Sequence, residues 1–302
     1  MTRSLGLDVG GSAVKVAVLE EGTAIHTERI PLPGGPLLPA VTAIARRALE
    51  RHGANTLGVG LAGLVTYPDG VFVWGPHLPD RAVPFRAGLT SELGFEVAVD
   101  NDANLAALAE HALGAGSGAS PLVVVTLGSG IGVGIVIEGG VFRGAGFAGE
   151  LGHMQVTADG ERCACGRSGC WETEVSGSRL DALARHLIDP DGHRPSGADL
   201  VAAAGAGDEA AVAALAGVAE WFGRGLVTLI LAFDPALIVV GGAAAAAGPL
   251  LLDPARETVV SLLPGADVRS VPAVVSGRLG EFAGAMGAAL AGRQVQNGSY
   301  DW

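Results

Sequence analysis

The sequence predicts an α/β protein, because short apolar runs typical of strands alternate along the chain with longer alanine- and leucine-rich segments typical of helices. Hydrophobic residues make up 49% of the 302 residues and charged residues 17%, which excludes a disordered chain. No uninterrupted apolar run reaches the length of about 18 residues that predicts a membrane span. At roughly 150 residues per domain, the length predicts about two domains.

The predicted elements follow one another in order, separated by glycine-rich or polar turns. Gly10-Gly11-Ser12 and Gly139-Gly140 each join two strand-like runs, so each predicts a hairpin. A Gly/Ser/Ala segment at 114–120 predicts that a second unit starts near residue 115. The predicted strands are Leu5–Asp8, Ala13–Leu19, Leu57–Leu64, Phe95–Val99, Leu122–Leu127, Ile135–Ile137, Val141–Arg143 and Leu237–Val240, and the predicted helices are Val41–Leu49, Ala103–Leu113, Asp208–Ala232 and Leu279–Arg293.

The charge balance narrows the possible partners. Lys and Arg number 19 against 31 Asp and Glu, giving a net charge of −12, which disfavours nucleic acid as a partner. The first residues carry neither a secretory nor a transit signal, so a cytoplasmic protein without a membrane partner is expected. Lys15 is the sole lysine of the sequence, beside the first glycine turn.

A cysteine and histidine cluster predicts a zinc site. All three cysteines, Cys163, Cys165 and Cys170, lie within eight residues, and His153 precedes them by ten. Zn²⁺ takes four such ligands tetrahedrally, and four protein ligands leave no position for water, so the predicted ion is structural. The alternative is a reduced loop without metal. Closing the loop around a zinc ion would bring Glu150 and Glu172 close together, where both carboxylates could accept hydrogen bonds from a hydroxyl-rich ligand.

The segment Asp100-Asn101-Asp102 lies where a predicted strand meets a helix. Ligands of open α/β sheets bind at the carboxyl ends of strands, and a carboxylate there can act as a general base. The alternative is an ordinary helix N-cap, which Asp and Asn both favour.

Two glycine-rich segments, Gly10-Gly11-Ser12 and Gly128–Gly132, each follow a strand and could present N–H groups to phosphate oxygens. A Walker A loop is excluded, because Val16 follows the single lysine. Asp8 is either a turn residue or a candidate for Mg²⁺.

Taken together, these motifs resemble the ROK family of sugar kinases and sugar-responsive repressors, within the actin-like ATPase superfamily. The resemblance covers nearly the whole chain. The motifs that carry it are Leu7–Lys15 and Thr126–Gly134 (phosphate motifs), Ile238–Gly242 (adenosine side), Asp100–Asn104, Glu150–His153 and the cysteine pattern that ends at Glu172.

The resemblance implies two actin-like (ribonuclease H-like) lobes around a central cleft, with a zinc-stabilised loop. Residues 1–114 would form the smaller lobe, joined by the C-terminal helix at about 281–302, and residues 115–280 the larger one. A homodimer or homotetramer is expected.

The resemblance also implies a role for each site residue. Asp102 would be the catalytic base, and Asn101, Asp102, Glu150, His153 and Glu172 would bind the sugar. His153 would also hold zinc with Cys163, Cys165 and Cys170. The residues expected to bind ATP and Mg²⁺ are Asp8, Gly10, Gly11, Ser12, Lys15, Thr126, Gly128, Ser129, Gly130, Gly132, Gly241 and Gly242.

The predicted function is therefore an ATP-dependent hexokinase or glucokinase that phosphorylates the 6-hydroxyl of glucose. The alternatives are an N-acetylhexosamine kinase acting on GlcNAc or ManNAc, and a non-catalytic sugar-sensing ROK protein; polyphosphate is an alternative donor. A kinase is favoured over a repressor, because the first phosphate motif begins within ten residues of Met1. Two segments depart from the family pattern, the sugar-side segment Pro76–Arg81 and the adenosine-side segment Gly241–Ala245.

Overall fold

The structure is a computed structural model that describes residues 2–188 and 194–298. The strands are β1 (Arg3–Val9), β2 (Ala13–Glu20), β3 (Thr23–Pro31), β4 (Thr56–Leu61), β5 (Leu64–Val65), β6 (Val71–Trp74), β7 (Val83–Pro84), β8 (Ala98–Asn101), β9 (Leu122–Leu127), β10 (Ile131–Ile137), β11 (Gly140–Val141), β12 (Leu237–Gly241) and β13 (Ala273–Ser276). The α-helices are α1 (Leu37–His52), α2 (Phe85–Leu93), α3 (Asp102–Leu113), α4 (Trp171–Val175), α5 (Gly177–Leu187), α6 (Gly197–Gly205), α7 (Glu209–Phe233), α8 (Pro249–Leu262) and α9 (Ala283–Gln296).

The predicted α/β class is confirmed, and each strand and helix predicted above overlaps an element of the structure. The C-terminal helix starts later than predicted, because a 3-10 turn occupies Gly280–Phe282. The alanine run Ala243–Ala247 is also a 3-10 helix. Strand β3 was not predicted. Its residues alternate between exposed and partly exposed, so the apolar periodicity that marks a half-buried strand is absent.

The chain divides into two compact units. The first unit contains residues 1–117, 134–149 and 281–302 and is built on a five-stranded sheet of order β3-β2-β1-β4-β8. Strands β1, β4 and β8 are parallel, whereas β2 and β3 are antiparallel additions at one edge. Helix α9 packs against β1, β4 and α3. The carboxyl ends of β1, β4 and β8 therefore lie at one edge of the sheet.

The second unit contains residues 118–133 and 150–280. Strand β12 runs parallel to β9 on one side and to β13 on the other, so these three strands also end at a common edge. Helices α7 and α8 pack against each other, and Trp171 of α4 stacks on Phe222 of α7 with ring centroids 5.7 Å apart.

Among the described residues, one helix is long and apolar enough to cross a membrane by length and composition alone. This helix is α7, and 56% of its most apolar window is buried inside the protein, as for a core helix.

Candidate active site and metal centre

The strand-to-helix junction carries the predicted catalytic carboxylate. Asp100 and Asn101 end β8, and Asp102 is the first residue of α3. The Asn101 side-chain oxygen accepts hydrogen bonds from the N–H groups of Ala103 and Asn104, at 2.8 and 3.0 Å, and so caps the helix. Its side-chain nitrogen donates to the Gly63 carbonyl at 3.1 Å. Asn101 is therefore the N-cap residue. Asp102 Oδ1 also accepts from the Ala103 N–H, at 3.0 Å, so the Asp102 carboxylate contributes to the same helix start.

Asp100 of this junction forms an ion pair with Arg143, a residue that the sequence analysis did not identify as part of the site. Two guanidinium nitrogens of Arg143 lie 2.8 and 2.7 Å from Asp100 Oδ2. The other oxygen, Oδ1, accepts from the Asn101 N–H at 2.7 Å and from the Asn104 side-chain amide at 3.1 Å. Arg143 also lies over the Tyr67 ring, 3.8 Å from its centroid. With Asp100 only 2% exposed, this is a buried ion pair next to the candidate base.

Replacing Arg143 by leucine is expected to lower the free energy of unfolding by about 3–5 kcal/mol, because the buried Asp100 carboxylate loses its charge partner. Denaturant unfolding would measure the loss. The double variant Asp100→Asn/Arg143→Leu should recover much of it, since no buried charge then remains. The matched control is Arg46→Leu, whose ion pair with Glu92 has side chains 51% and 58% exposed. That pair should contribute about 0–1 kcal/mol. Equal losses for Arg143 and Arg46 would contradict the buried-charge argument.

Asp8 and Lys15 face each other across the first hairpin. They are register partners in β1 and β2, and Lys15 Nζ lies 3.2 Å from Asp8 Oδ2. A Cβ on Gly284 would lie 3.0 Å from Asp8 Oδ2 and 3.4 Å from the Asp102 carbonyl oxygen, so both acidic residues flank the start of α9. The single lysine therefore pairs with the carboxylate that was predicted to hold Mg²⁺.

In the second unit, the glycine segment forms a shorter loop than predicted. Gly128–Gly130 connect β9 to β10, and Gly132 already lies within β10, whereas the sequence suggested a loop through residue 132. Two groups at the start of α5 hold the loop carbonyls. The Gly177 N–H donates to the Gly128 carbonyl at 2.8 Å, and the Ser178 hydroxyl donates to the Ser129 carbonyl at 2.7 Å.

The second glycine pair lies next to this loop. Gly241 of β12 is the register partner of Thr126 in β9, so Gly241 and Gly242 follow a strand that ends beside the Gly128–Gly130 loop. Gly242 has φ of 85°, and a Cβ there would lie 2.5 Å from the Leu127 carbonyl oxygen. A side chain at this position would therefore clash with the Leu127 backbone, which explains why position 242 is glycine.

Glu172 connects the cysteine loop to the glycine loop. Its Oε2 accepts a hydrogen bond from the Ile131 N–H at 3.0 Å, and its Oε1 lies 3.7 Å from the Cys163 thiol. A Cβ on Gly130 would lie 2.0 Å from Glu172 Oε2, so only glycine leaves room for this contact. The structure thus places Glu172 between the two motifs, a position that the sequence did not predict.

The four predicted zinc ligands come together. Their candidate ligand atoms all lie within 4.8 Å of one another. The Cys165 and Cys170 sulfurs are 3.7 Å apart, and Cys163 Sγ lies 3.6 Å from His153 Nδ1. A tetrahedral zinc ion would hold two sulfurs about 3.8 Å apart and a sulfur and a nitrogen about 3.6 Å apart, from its usual bond lengths. The donor set and the spacing therefore fit zinc, with His153 Nδ1 as the nitrogen ligand.

The environment of these groups affects their protonation. Burial raises the pKa of Cys163 to about 12 and also raises the pKa of Cys170. Zinc binding would therefore release protons from these thiols, and zinc retention should weaken as pH falls. Burial also raises the pKa of Glu150, with a further contribution from Glu172, while His153 acts to lower it. Glu150 and His153 are the first and last residues of one 3-10 turn.

The fold matches that of a ROK family glucokinase, and ROK kinases have the actin-like ATPase fold. A sequence model of the ROK family matches residues 4–294. The chain belongs to the ROK family, as its motifs indicated.

Three relatives show how close the similarity is. The chain is 33% identical to the glucokinase of Streptomyces coelicolor, over 97% of this chain and 98% of that relative. It is 31% identical to the N-acetyl-D-glucosamine kinase of Shigella flexneri, over 94% of this chain and 97% of that relative. The crystal structure of a ROK family glucokinase from Streptomyces griseus, in complex with glucose and AMPPNP, matches with a TM-score of 0.89 and 34% identity, over 97% and 99% of the two chains.

Proposed function

We propose that this chain is a cytoplasmic sugar kinase that transfers the γ-phosphoryl group of ATP to the 6-hydroxyl of glucose. The observation that carries the proposal is the position of Asp102, which starts α3 at the carboxyl end of β8 while Asn101 supplies the helix cap. Similarity over nearly the full length to the two glucokinases supports the same activity.

In this mechanism, Asp102 accepts the proton of the 6-hydroxyl as that oxygen attacks the γ-phosphorus. The bond from the γ-phosphorus to the bridging oxygen breaks, and ADP leaves. Positioning and charge neutralisation contribute most of the rate enhancement in phosphoryl transfer, so the residues around Asp102 chiefly orient the two substrates.

The nucleotide would be bound by the glycine segments and Asp8. Mg²⁺ supplies charge neutralisation at the phosphates when it is bound. Backbone N–H groups of Gly11, Ser12, Ser129 and Gly130 are proposed phosphate donors, because the N–H groups of Gly10 and Gly128 already donate to the Ala13 and Gly130 carbonyls at 3.0 Å. Ser178 and Gly177 support this role, because they hold the loop carbonyls and so orient the loop. Gly241 and Gly242 are proposed to lie beside the adenosine.

The sugar would be bound by Asn101, Asp102, Glu150, His153 and Glu172. With His153 Nδ1 on the zinc side, the other ring nitrogen is available for a sugar hydroxyl, which would give the structural ion a role in orienting that ring. The two lobes are proposed to follow the two compact units, so that residues 134–149 belong to the first lobe together with residues 1–117 and 281–302, and not to the second as the range 115–280 implied.

An activity panel tests this proposal. Protein with a known zinc content is assayed with ATP and glucose, N-acetylglucosamine, N-acetylmannosamine, mannose or fructose, and with polyphosphate in place of ATP. We expect glucose with ATP to give the highest kcat/KM. Asp102→Asn provides the inactive reference. Preferential turnover of N-acetylglucosamine would contradict the assignment of glucose, and no turnover of any sugar at one zinc per chain would contradict the kinase.

An N-acetylhexosamine kinase is the second candidate. The Shigella relative supports it, whereas the segment Pro76–Arg81 departs from the family pattern and favours neither sugar. Residues of this segment have protein partners: the Asp80 carboxylate accepts from the Leu37 N–H at 2.6 Å, and Arg81 lies 5.9 Å from the Trp74 ring centroid. The panel distinguishes the two candidates directly.

A further inference from the structure

Outside the candidate site, three metal-ligating side chains converge in the first unit. His26 and Glu28 are two residues apart on β3 and so point to the same face of the strand. His52 is the last residue of α1. One ligand atom from each of these residues lies within 4.8 Å of the others.

The two imidazole rings are unusual because the Nε2 atom of each is buried without a hydrogen bond. The ring centroids are 4.4 Å apart. Among the residues that the structure describes, neither Nε2 atom has a hydrogen-bond partner, and both atoms are buried. Buried polar atoms in folded proteins nearly always have a partner, so this pair needs an explanation. A metal ion supplies one, because it binds the lone pairs of several neutral imidazole nitrogens at once.

Glu28 supplies a negative charge at the same place. Its Oε1 lies 3.5 Å from His26 Nε2, and its Oε2 lies 3.5 Å from an Arg51 guanidinium nitrogen. The Arg51 side chain is 65% exposed, so it can remain in solvent while one carboxylate oxygen faces the histidines. An Arg3 guanidinium nitrogen already donates to the His52 carbonyl oxygen at 2.9 Å, at the C-terminal end of α1, so the charge that would attract a metal ion here is that of Glu28.

The backbone around His26 is irregular. Val18 of β2 pairs with His26, but the next residue, Leu19, pairs with Ala24, so Ile25 is a bulge residue beside the cluster. A bulge redirects neighbouring side chains and is common near functional sites.

We propose that His26, Glu28 and His52 form a second metal site, which binds a divalent transition-metal ion of the zinc class and leaves a fourth position for water. Two imidazoles and one carboxylate suit Zn²⁺, Co²⁺ or Ni²⁺, whereas Mg²⁺ and Ca²⁺ prefer oxygen ligands. In a tetrahedral site with bonds of normal length, the ligand atoms lie about 3.4 Å apart. The three ligand atoms here lie within 4.8 Å of one another, so small side-chain rotations would be needed to bind the ion. The ion would join edge strand β3 to the end of α1.

Equilibrium dialysis of tag-free protein against micromolar ZnCl₂ tests the site without any activity assay. We expect two zinc ions per chain in the native protein and one in His26→Gln/His52→Gln. His186→Gln, which changes an exposed histidine of α5, is the matched control and should keep two. Excess Mg²⁺ should displace neither ion.

Cobalt distinguishes the two sites by their ligands. The cysteine site gives a thiolate-to-cobalt charge-transfer absorption, whereas the second equivalent of Co²⁺ should add visible bands without that absorption. Glu28→Gln preserves the side-chain volume and replaces the double variant if that variant fails to fold. We expect Glu28→Gln to lower the affinity for the second equivalent of metal ion by at least about tenfold. One zinc per chain in the native protein, or unchanged binding in both the double variant and Glu28→Gln, would overturn the proposal.

Discussion

Asp102→Asn is expected to lower kcat by about 10²-fold or more while the Kd for sugar changes little, because only proton transfer to a carboxylate is removed. The amide has the same shape as the carboxylate, and the helix cap is retained because Asn101 provides it. Steady-state kinetics and direct sugar binding would separate the effects on kcat and Kd.

The matched control for this change is Asp208→Asn. Asp208 also lies at a helix N-terminus, where its side chain accepts from the Ala211 N–H at 2.9 Å, and asparagine can keep that hydrogen bond. Its kcat should equal that of the native protein. A kcat for Asp102→Asn within a fewfold of native would show that another group takes the proton.

Cys165→Ser is expected to remove zinc and to lower both the thermal stability and the affinity for sugar. Three ligands remain, but the 3.7 Å sulfur pair that fits the tetrahedral ion is lost. Metal binding contributes directly to the folding free energy of such a loop, so the unfolding temperature should fall together with the zinc content. The KM for sugar should rise, because Glu172, which contacts Cys163 and the Ile131 N–H, loses the support of the closed loop.

Elemental analysis, thermal unfolding and sugar kinetics on one preparation would measure the three effects. Ser168→Ala is the matched control, since it changes an exposed residue of the same loop that is not a zinc ligand. It should keep one zinc at the cysteine site and a normal KM. A Cys165→Ser protein that lacks zinc at the cysteine site but has a normal KM would show that the loop positions Glu150 and Glu172 without the ion.

The family and the α/β class were accessible from the sequence because their signals are local. The three cysteines lie within eight residues of one another, and the histidine that joins them is only ten residues away. Such a spacing leaves few ways to close the loop, so the residue types alone predicted which atoms would meet. The strands β1 and β9 were likewise clear, because each is a short apolar run that ends in glycine or an acidic residue.

The tertiary structure decided the contacts between residues that are distant in sequence. Arg143 meets Asp100 across 43 residues, and Glu172 meets the Ile131 N–H across 41. His26 and His52 meet because α1 returns to the edge of the first sheet, next to a strand without apolar periodicity. These pairings depend on sheet register and on helix packing. Both result from many weak interactions between residues that are distant in sequence, so no local pattern predicts them. The sequence by itself determined the family and the residue types of the site, whereas only the fold determined which partners hold those residues in place.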